Sequence, residues 1–327
     1  MSEINAKSPI VELFSANLTA PQNVVASELK DANDFIKELC ANPNPNNRYE
    51  IAQILRLIVD NQLDLSLNYL PTIADVKHID FGQKAQFQVD LPGVKAFFQA
   101  KGSTTERSKV GHTYTTLETD EVSVRPAINF YDLLSGKTDF SKVATESAFR
   151  MEMAIAAKVQ KTLYDAFSAM SAPNYGTGNG VVATVIDPII YALARLGGVS
   201  IMGDIECISK FTALTGFNSI VNPEYVKEHN QNGHLGTYKT ANIVKMNNQL
   251  VQENLTNTVL RKDLLYIVPT GASANRPLKV VLEGQVSAME ATSINDKMYE
   301  VRMDKYVGVG VVGYRKFLGL YKDSSLS

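Results

Sequence analysis

Between Thr138 and Ser171 the apolar residues keep helical spacing over a longer stretch than a free globule accommodates. Phe149, Met153, Ala156, Leu163, Phe167 and Met170 recur three, four or seven positions apart, with Glu146, Arg150, Lys158, Lys161 and Asp165 elsewhere. A helix from Ala144 to Met170 would be roughly 40 Å long at about 1.5 Å per residue. That is more than twice the usual helix of about 11–12 residues. The run Pro173-Asn-Tyr-Gly-Thr-Gly-Asn-Gly180 ends it and reads as a flexible hinge into a new domain.

The second feature too long for a free globule precedes the helix. From His78 to Asn129 the period changes, and Ala85-Gln-Phe-Gln-Val-Asp-Leu91 alternates apolar with polar as a half-exposed strand does. Tyr114–Leu117 and Val122–Ile128 are strand-like as well. Between them lies Lys101-Gly-Ser-Thr-Thr-Glu-Arg-Ser-Lys109, polar and without an apolar anchor. This describes a two-stranded ribbon with a charged tip, and such a ribbon is marginal alone in water. It needs a partner surface. Lys101, Glu106, Arg107 and Lys109 are therefore the candidate intersubunit contact.

Residues 1 to about 75 form a mostly helical leader. Val25–Cys40 places Leu29, Ala32, Phe35, Ile36 and Leu39 at helical spacing, and Asn42-Pro43-Asn44-Pro45 breaks it. Arg48–Gln62 resumes with Ile51, Ile54, Leu55, Ile58 and Val59 on one face. Neither helix is independently stable, so each docks on this subunit or on a neighbour. Residues 186–274 mix helices and strands. Asp187-Pro188 and Asn222-Pro223 read as helix starts, Gly197-Gly198 and Asn232-Gly233 as stops. Ile243–Met246, Leu264–Val268, Lys279–Leu282 and Met298–Tyr306 read as strands.

Composition narrows the function class. Hydrophobic residues make up 45% and charged residues 20%, enough for a sizeable core. The 32 basic against 34 acidic residues give a net charge of −2, without the basic excess of a protein that grips nucleic acid along its length. Weak net charge also permits copies to approach one another. Cys40 and Cys207 are two distant thiols, not a disulfide framework. No signal peptide pattern opens the chain, and no apolar run reaches the roughly 18 residues of a membrane span.

Each motif that suggests catalysis has a plainer reading. Gly308-Val-Gly310-Val-Val-Gly313 spells a dinucleotide fingerprint, but the 14 residues after Gly313 cannot supply the helix, strand and acidic ligand that the site requires. These glycines read as a closely packed terminal strand. Gly176–Gly180 lacks the Gly-Lys-Ser/Thr ending of a phosphate loop. His229 and His234 flank Asn-Gln-Asn-Gly without a third ligand close by in the sequence, and read as surface histidines. Cys207, between apolar neighbours, reads as a buried inert thiol. No catalytic residue, cofactor ligand or metal ligand is assigned, and the chain is expected not to be an enzyme.

The order of leader, ribbon, long helix, hinge, mixed domain and returning strands resembles the tailed-bacteriophage major capsid family, whose architecture is the Hong Kong phage type (HK-type) capsid fold. Thr145–Met170 is similar to that family's spine helix. Asn232-Gly-His-Leu-Gly-Thr-Tyr-Lys-Thr-Ala-Asn-Ile-Val-Lys-Met246 resembles the passage of its axial domain into a strand. Leu264-Leu-Tyr-Ile-Val-Pro-Thr-Gly271 and Pro277-Leu-Lys-Val-Val-Leu-Glu-Gly284 resemble the return into its peripheral domain.

The resemblance covers about residues 75 to 320 and implies an α+β fold with four parts. These are a helical N-terminal arm at 1–75, an extended β-ribbon loop at 76–122, a peripheral domain at 123–185 and 275–327 with spine helix and antiparallel sheet, and an axial α/β domain at 186–274. It implies a structural subunit assembling with itself into hexameric and pentameric capsomers of an icosahedral or prolate shell. That shell encloses double-stranded DNA without sequence-specific binding, has scaffolding, portal and decoration partners, and is built in the host cytoplasm as part of a virion, away from any membrane. Some relatives join a loop lysine to an asparagine of another subunit. Lys101 and Lys109 are the lysines near this tip, but no motif marks a partner asparagine or glutamate, so that chemistry is not carried over. The leader lacks the acidic character of a cleaved scaffold segment and is expected to be retained. Two alternatives stand beside this reading: a cellular, encapsulin-like shell around an enzyme cargo, and an intracellular metal-dependent enzyme using His229 and His234.

Overall fold

The computed structural model describes residues 11–13, 26–42, 44–67, 70–90, 111–135, 137–168, 174–195, 197–214, 232–234, 236–246, 248, 250, 258–270, 276–293, 298–312 and 319–326. Along the chain run helices α1 (Ala26–Ala41), α2 (Pro45–Ser66) and the short α3 (Leu70–Ile73), then strands β1 (Asp75–Ile79) and β2 (Ala85–Asp90). Strands β3 (His112–Leu117), β4 (Asp120–Val124) and β5 (Ala127–Ile128) precede the short helix α4 (Phe130–Leu134) and the long helix α5 (Phe140–Ser168). After it come β6 (Tyr175–Gly178), α6 (Ala183–Ala194), β7 (Val199–Gly203) and the single turn α7 (Ile205–Ile208). The chain ends with β8 (Thr237–Tyr238), β9 (Ala241–Lys245), β10 (Leu264–Pro269), β11 (Leu278–Thr292), β12 (Tyr299–Val311) and β13 (Gly319–Asp323).

The long helix spans 29 residues, about 43 Å at about 1.5 Å per residue. It buries more than the stripe read from sequence. Met151, Ile155 and Val159 are buried together with Met153, Ala156 and Leu163, so two faces are covered. The reason is position: α5 packs on α2 and the β4–β12 side of one sheet, and also reaches β13 of another.

The first sheet has the order β1-β11-β12-β4, with β5 also paired to β12. β1 runs parallel to β11; the β11–β12, β12–β4 and β12–β5 pairs are antiparallel. Val122–Ile128 was expected as one strand and is two, because Pro126, which has no N–H for the ladder, divides them. β11 and β12 run far beyond the expected Lys279–Leu282 and Met298–Tyr306, and β11 breaks register between Glu283 and Ser287. Gly284 makes that bulge with φ +59°, where a Cβ would meet the Phe81 ring.

Of the two docking options for the leader helices, this subunit is the one realised. The breaker at Asn42–Pro45 serves as the start of α2: Asn44 Oδ1 accepts from Asn47 N–H at 2.8 Å and Pro45 occupies the first turn. Ile51, Leu55, Ile58 and Leu63 then enter the same core as α5 and β11–β12. At 1.5–3 kcal/mol per fully buried Leu or Ile, roughly, this segment is part of the folded body.

The second sheet has six strands in the order β6-β13-β10-β7-β9-β8. Its central strand β10 is buried throughout. Leu264, Tyr266 and Val268 join the core of α5 and the first sheet, whereas Leu265 and Ile267 join a separate core with Ile189, Ile190 and Phe211. A strand covered on both faces must read as a continuous apolar run, and Leu-Leu-Tyr-Ile-Val does.

This sheet alters the expected boundaries. β6 and β13 lie in it, although 123–185 and 275–327 were assigned to the peripheral body. Gly176–Gly180 is consequently no flexible hinge: β6 pairs in parallel with β13, and Gly180 N–H donates to the fully buried Asp323 at 2.8 Å. Asp187 is not a helix cap, because α6 begins at Ala183 with Pro188 inside it. The helix entry is held instead by Val182 N–H donating to Tyr321 Oη at 3.1 Å. The Asp187 carboxylate accepts from Tyr238 Oη at 2.9 Å and pairs with Lys239.

Candidate assembly surface

The ribbon is a separate two-stranded sheet of β2 and β3, in register from Ala85 opposite Leu117 to Asp90 opposite His112. It is narrower than the 76–122 expected from sequence, because β1 and β4 on either side belong to the first sheet. The predicted contact residues Lys101, Glu106, Arg107 and Lys109 lie outside the described residues, as does His229.

The ribbon's root is tightly held. Ala85 and Phe87 point into a small core with Val281, Ile79 and Leu117, while Gln86 and Gln88 are exposed. Lys77 lies 4.6 Å and Lys279 5.5 Å from the Phe87 ring centre. Lys279 is itself buried and paired with Asp75 at 2.9 Å. Glu283 ties both flanks of the ribbon to β11: it accepts from Thr119 Oγ1 at 2.5 Å and from Gly82 N–H at 2.8 Å. These hydrogen bonds, Thr119's first, hold its carboxyl below the usual glutamate range. Gly308 completes the root, since a Cβ there would stand 2.7 Å from the Glu118 carbonyl oxygen. Gly308 and Gly310 of the glycine fingerprint thus mark a close approach of β12 to the ribbon's base.

The face of the ribbon opposite Phe87 has no cover among the described residues. His112, Thr113, Tyr114 and Thr116 are exposed, and Tyr114 shows 62% of its surface. Tyr131 and Met289 are also exposed, at 72% and 66%. Tyr114 on this marginal two-stranded element is the candidate contact.

A buried ionic clamp, which the sequence reading missed, holds the body against which the root sits. Asp60 on α2 pairs with Lys305 on β12 at 3.1 Å, both nearly buried, and also accepts from Val286 N–H at 3.0 Å. Arg56 Nη1 donates to the Val286 carbonyl at 3.1 Å. The leader helix thus grips both backbone groups of the residue in the β11 bulge. A charge at a core position of the apolar run Leu57-Ile-Val-Asp60 was the available signal.

Cys40 and Cys207 are buried free thiols, pushed up by burial to about 11 and about 12. Among the described residues no group of three metal-ligating side chains converges, and no helix is long and apolar enough to cross a membrane.

A family model described as SPbeta prophage-derived putative capsid protein YonB matches residues 2–322. The chain is similar to the mature capsid of bacteriophage PhiM1, with 11% identity and TM-score 0.54 over 78% of this chain and 87% of that one. It is similar to the acidic stable capsid of Helicobacter pylori bacteriophage KHP30, with 12% identity and TM-score 0.53 over 76% and 88%. A third similar structure is that of Microbacterium phage Oxtober96, with 11% identity and TM-score 0.52 over 76% and 88%. At such identities the likeness carries the fold. No curated protein matches the sequence.

Proposed function

Because the chain belongs to the YonB family of prophage-derived capsid proteins, we propose that the β2–β3 ribbon is the arm by which each subunit of the shell holds its neighbour. The protein is a structural major capsid protein with the HK-type fold, and its place is the capsid of the virion. The observation that supports the arm is the contrast between the ribbon's two faces, with Phe87 buried on one and Tyr114, opposite Gln88, exposed on the other.

In this reading the tip residues Lys101, Glu106, Arg107 and Lys109 complete the contact. Repetition of one heterologous contact closes rings, here the hexameric and pentameric capsomers of the shell. The six-stranded sheet serves as the axial domain at the capsomer centre, and the first sheet with α5 as the peripheral domain. The shell encloses double-stranded DNA without reading its sequence, its scaffolding, portal and decoration partners meet it during assembly in the host cytoplasm, and the subunit performs no catalysis.

The test is deletion of Gly102–Ser108, followed by denaturation, sedimentation and electron microscopy of the expressed chain. A folded subunit that makes no stable shells is the expected result. Normal shells from the deletion would overturn the role of the ribbon.

A further inference from the structure

We propose that the space between α5 and the six-stranded sheet is a binding site for a small, mainly apolar molecule carrying one oxygen, which the Tyr266 hydroxyl receives. The outer part of this space is a cavity of about 330 Å³ lined by Met153, Ala156, Met202, Met246 and Leu260, with Ser66 and Glu152 as its polar side. That volume lies at the lower end of small-ligand pockets, which run from about 300 to 1,000 Å³. Val244 and Lys245, both exposed, mark its mouth.

Ala156, Met202 and Met246 also wall an inner chamber of about 10 Å³, bounded by Gln160 and Tyr266. Tyr266 is only 2% exposed, yet its hydroxyl has no hydrogen-bond partner among the described residues. Gln160 accepts from Arg261 N–H at 2.8 Å and donates to the Arg261 carbonyl at 3.1 Å. Its second amide hydrogen faces the Tyr266 oxygen, so what the hydroxyl lacks is an acceptor for its own proton. A buried hydroxyl left unpaired is costly, so the fold gains from any occupant that supplies an oxygen there. The inner chamber is too small for such a molecule and comparable to one water. The wall between the two spaces is largely methionine, unbranched and easily moved, so a chain seated in the outer cavity can reach through it. Burial pushes the Tyr266 hydroxyl far above the ordinary tyrosine range, and it remains a donor at any ordinary pH.

The required ligand is a chain or ring of about six carbons ending in a hydroxyl or carbonyl. The experiment titrates the full chain with 1-hexanol and with 1-chlorohexane, read by calorimetry and by the shift in Tm that ligand binding produces. Hexanol should bind about threefold to tenfold more tightly, the value of one net hydrogen bond. Tyr266→Phe should remove hexanol's advantage and favour 1-chlorohexane, because the alcohol's hydroxyl is then buried unpaired, and Ala156→Phe should abolish both. Ala156→Met serves the same purpose should the larger side chain prevent folding. The proposal is overturned by failure of hexanol to bind, by equal affinities in the unaltered chain, by a hexanol preference surviving Tyr266→Phe, or by binding that survives the filled cavity. A chamber holding only a water would give the equal-affinity result. Shell formation is a separate readout, so failure here leaves the capsid reading standing.

Discussion

The six-stranded sheet and the β2–β3 ribbon are both built from short strands with apolar residues at regular positions, and they end in opposite states. In the sheet, β10 sends Leu264, Tyr266 and Val268 to one core and Leu265 and Ile267 to another, all within one chain. In the ribbon Ala85, Phe87 and Leu117 at the root share a small core, and Tyr114 on the opposite face is exposed. On the proposed reading the chain separates the surfaces it needs to fold from the surface it offers for assembly. Substitutions in the first set should remove shells by unfolding the subunit. Those in the second should remove shells and leave the subunit intact.

The largest expected loss is at the clamp. Asp60→Ala leaves Lys305 buried without its partner and Val286 N–H unpaired, at a cost of about 3–5 kcal/mol by denaturant unfolding. Replacing Lys305 with Met in the same chain should restore much of it, because the stranded charge is gone. A single variant as stable as the parent would mean that the leader helix is not part of the folding unit. Next comes Leu265→Ala on β10, expected to cost about 2–5 kcal/mol by opening a cavity where both faces are covered. Either change lowers the yield of shells only in proportion to the folded fraction, and shell loss from a fully folded variant would blur the distinction.

A smaller, pH-dependent effect is expected at the ribbon's root. Glu283 is held below its ordinary range by Thr119 and Gly82, so its stabilising contribution is complete above the unfolded value and disappears as pH falls through the lower folded one. Glu283→Gln should therefore increase amide exchange at Gly82 near neutral pH and flatten the acid-side change seen in the parent. Parallel profiles for the two proteins would show that this carboxylate does not fasten the ribbon.

Much of this division can be read from sequence, and the gaps have physical causes. The long helix, the alternation at Ala85–Gln88 and the continuous run at Leu264–Val268 are periodic signals, and periodicity survives in one dimension. The second buried face of α5 is not visible that way, because it depends on which layers meet there. The Asp60–Lys305 pair joins residues 245 positions apart, and only the oddity of a charge in an apolar run hints at it. Gly176–Gly180 looked like a linker because glycine suits both a flexible chain and a strand packed closely on its neighbours. Pairing with β13, far along the chain, decides between them. The tip at Lys101–Lys109 remains a reading of composition.

The smallest expected change in stability carries the sharpest test of the comparison. Tyr114 on β3 is exposed and touches the His112 ring edge-on at a centroid distance of 5.8 Å. Exposed positions away from caps and cores rarely change stability by more than about 0.5 kcal/mol, so Tyr114→Ser should leave the unfolding midpoint nearly unmoved. A tyrosine buried at an interface between copies, by contrast, is among the residues whose truncation weakens association most. Sedimentation of the variant should therefore show a folded subunit with a raised concentration threshold for assembly. A variant that unfolds would place Tyr114 with the self-sufficient sheet, and one that assembles at the parent's threshold would remove the ribbon's exposed face from the contact.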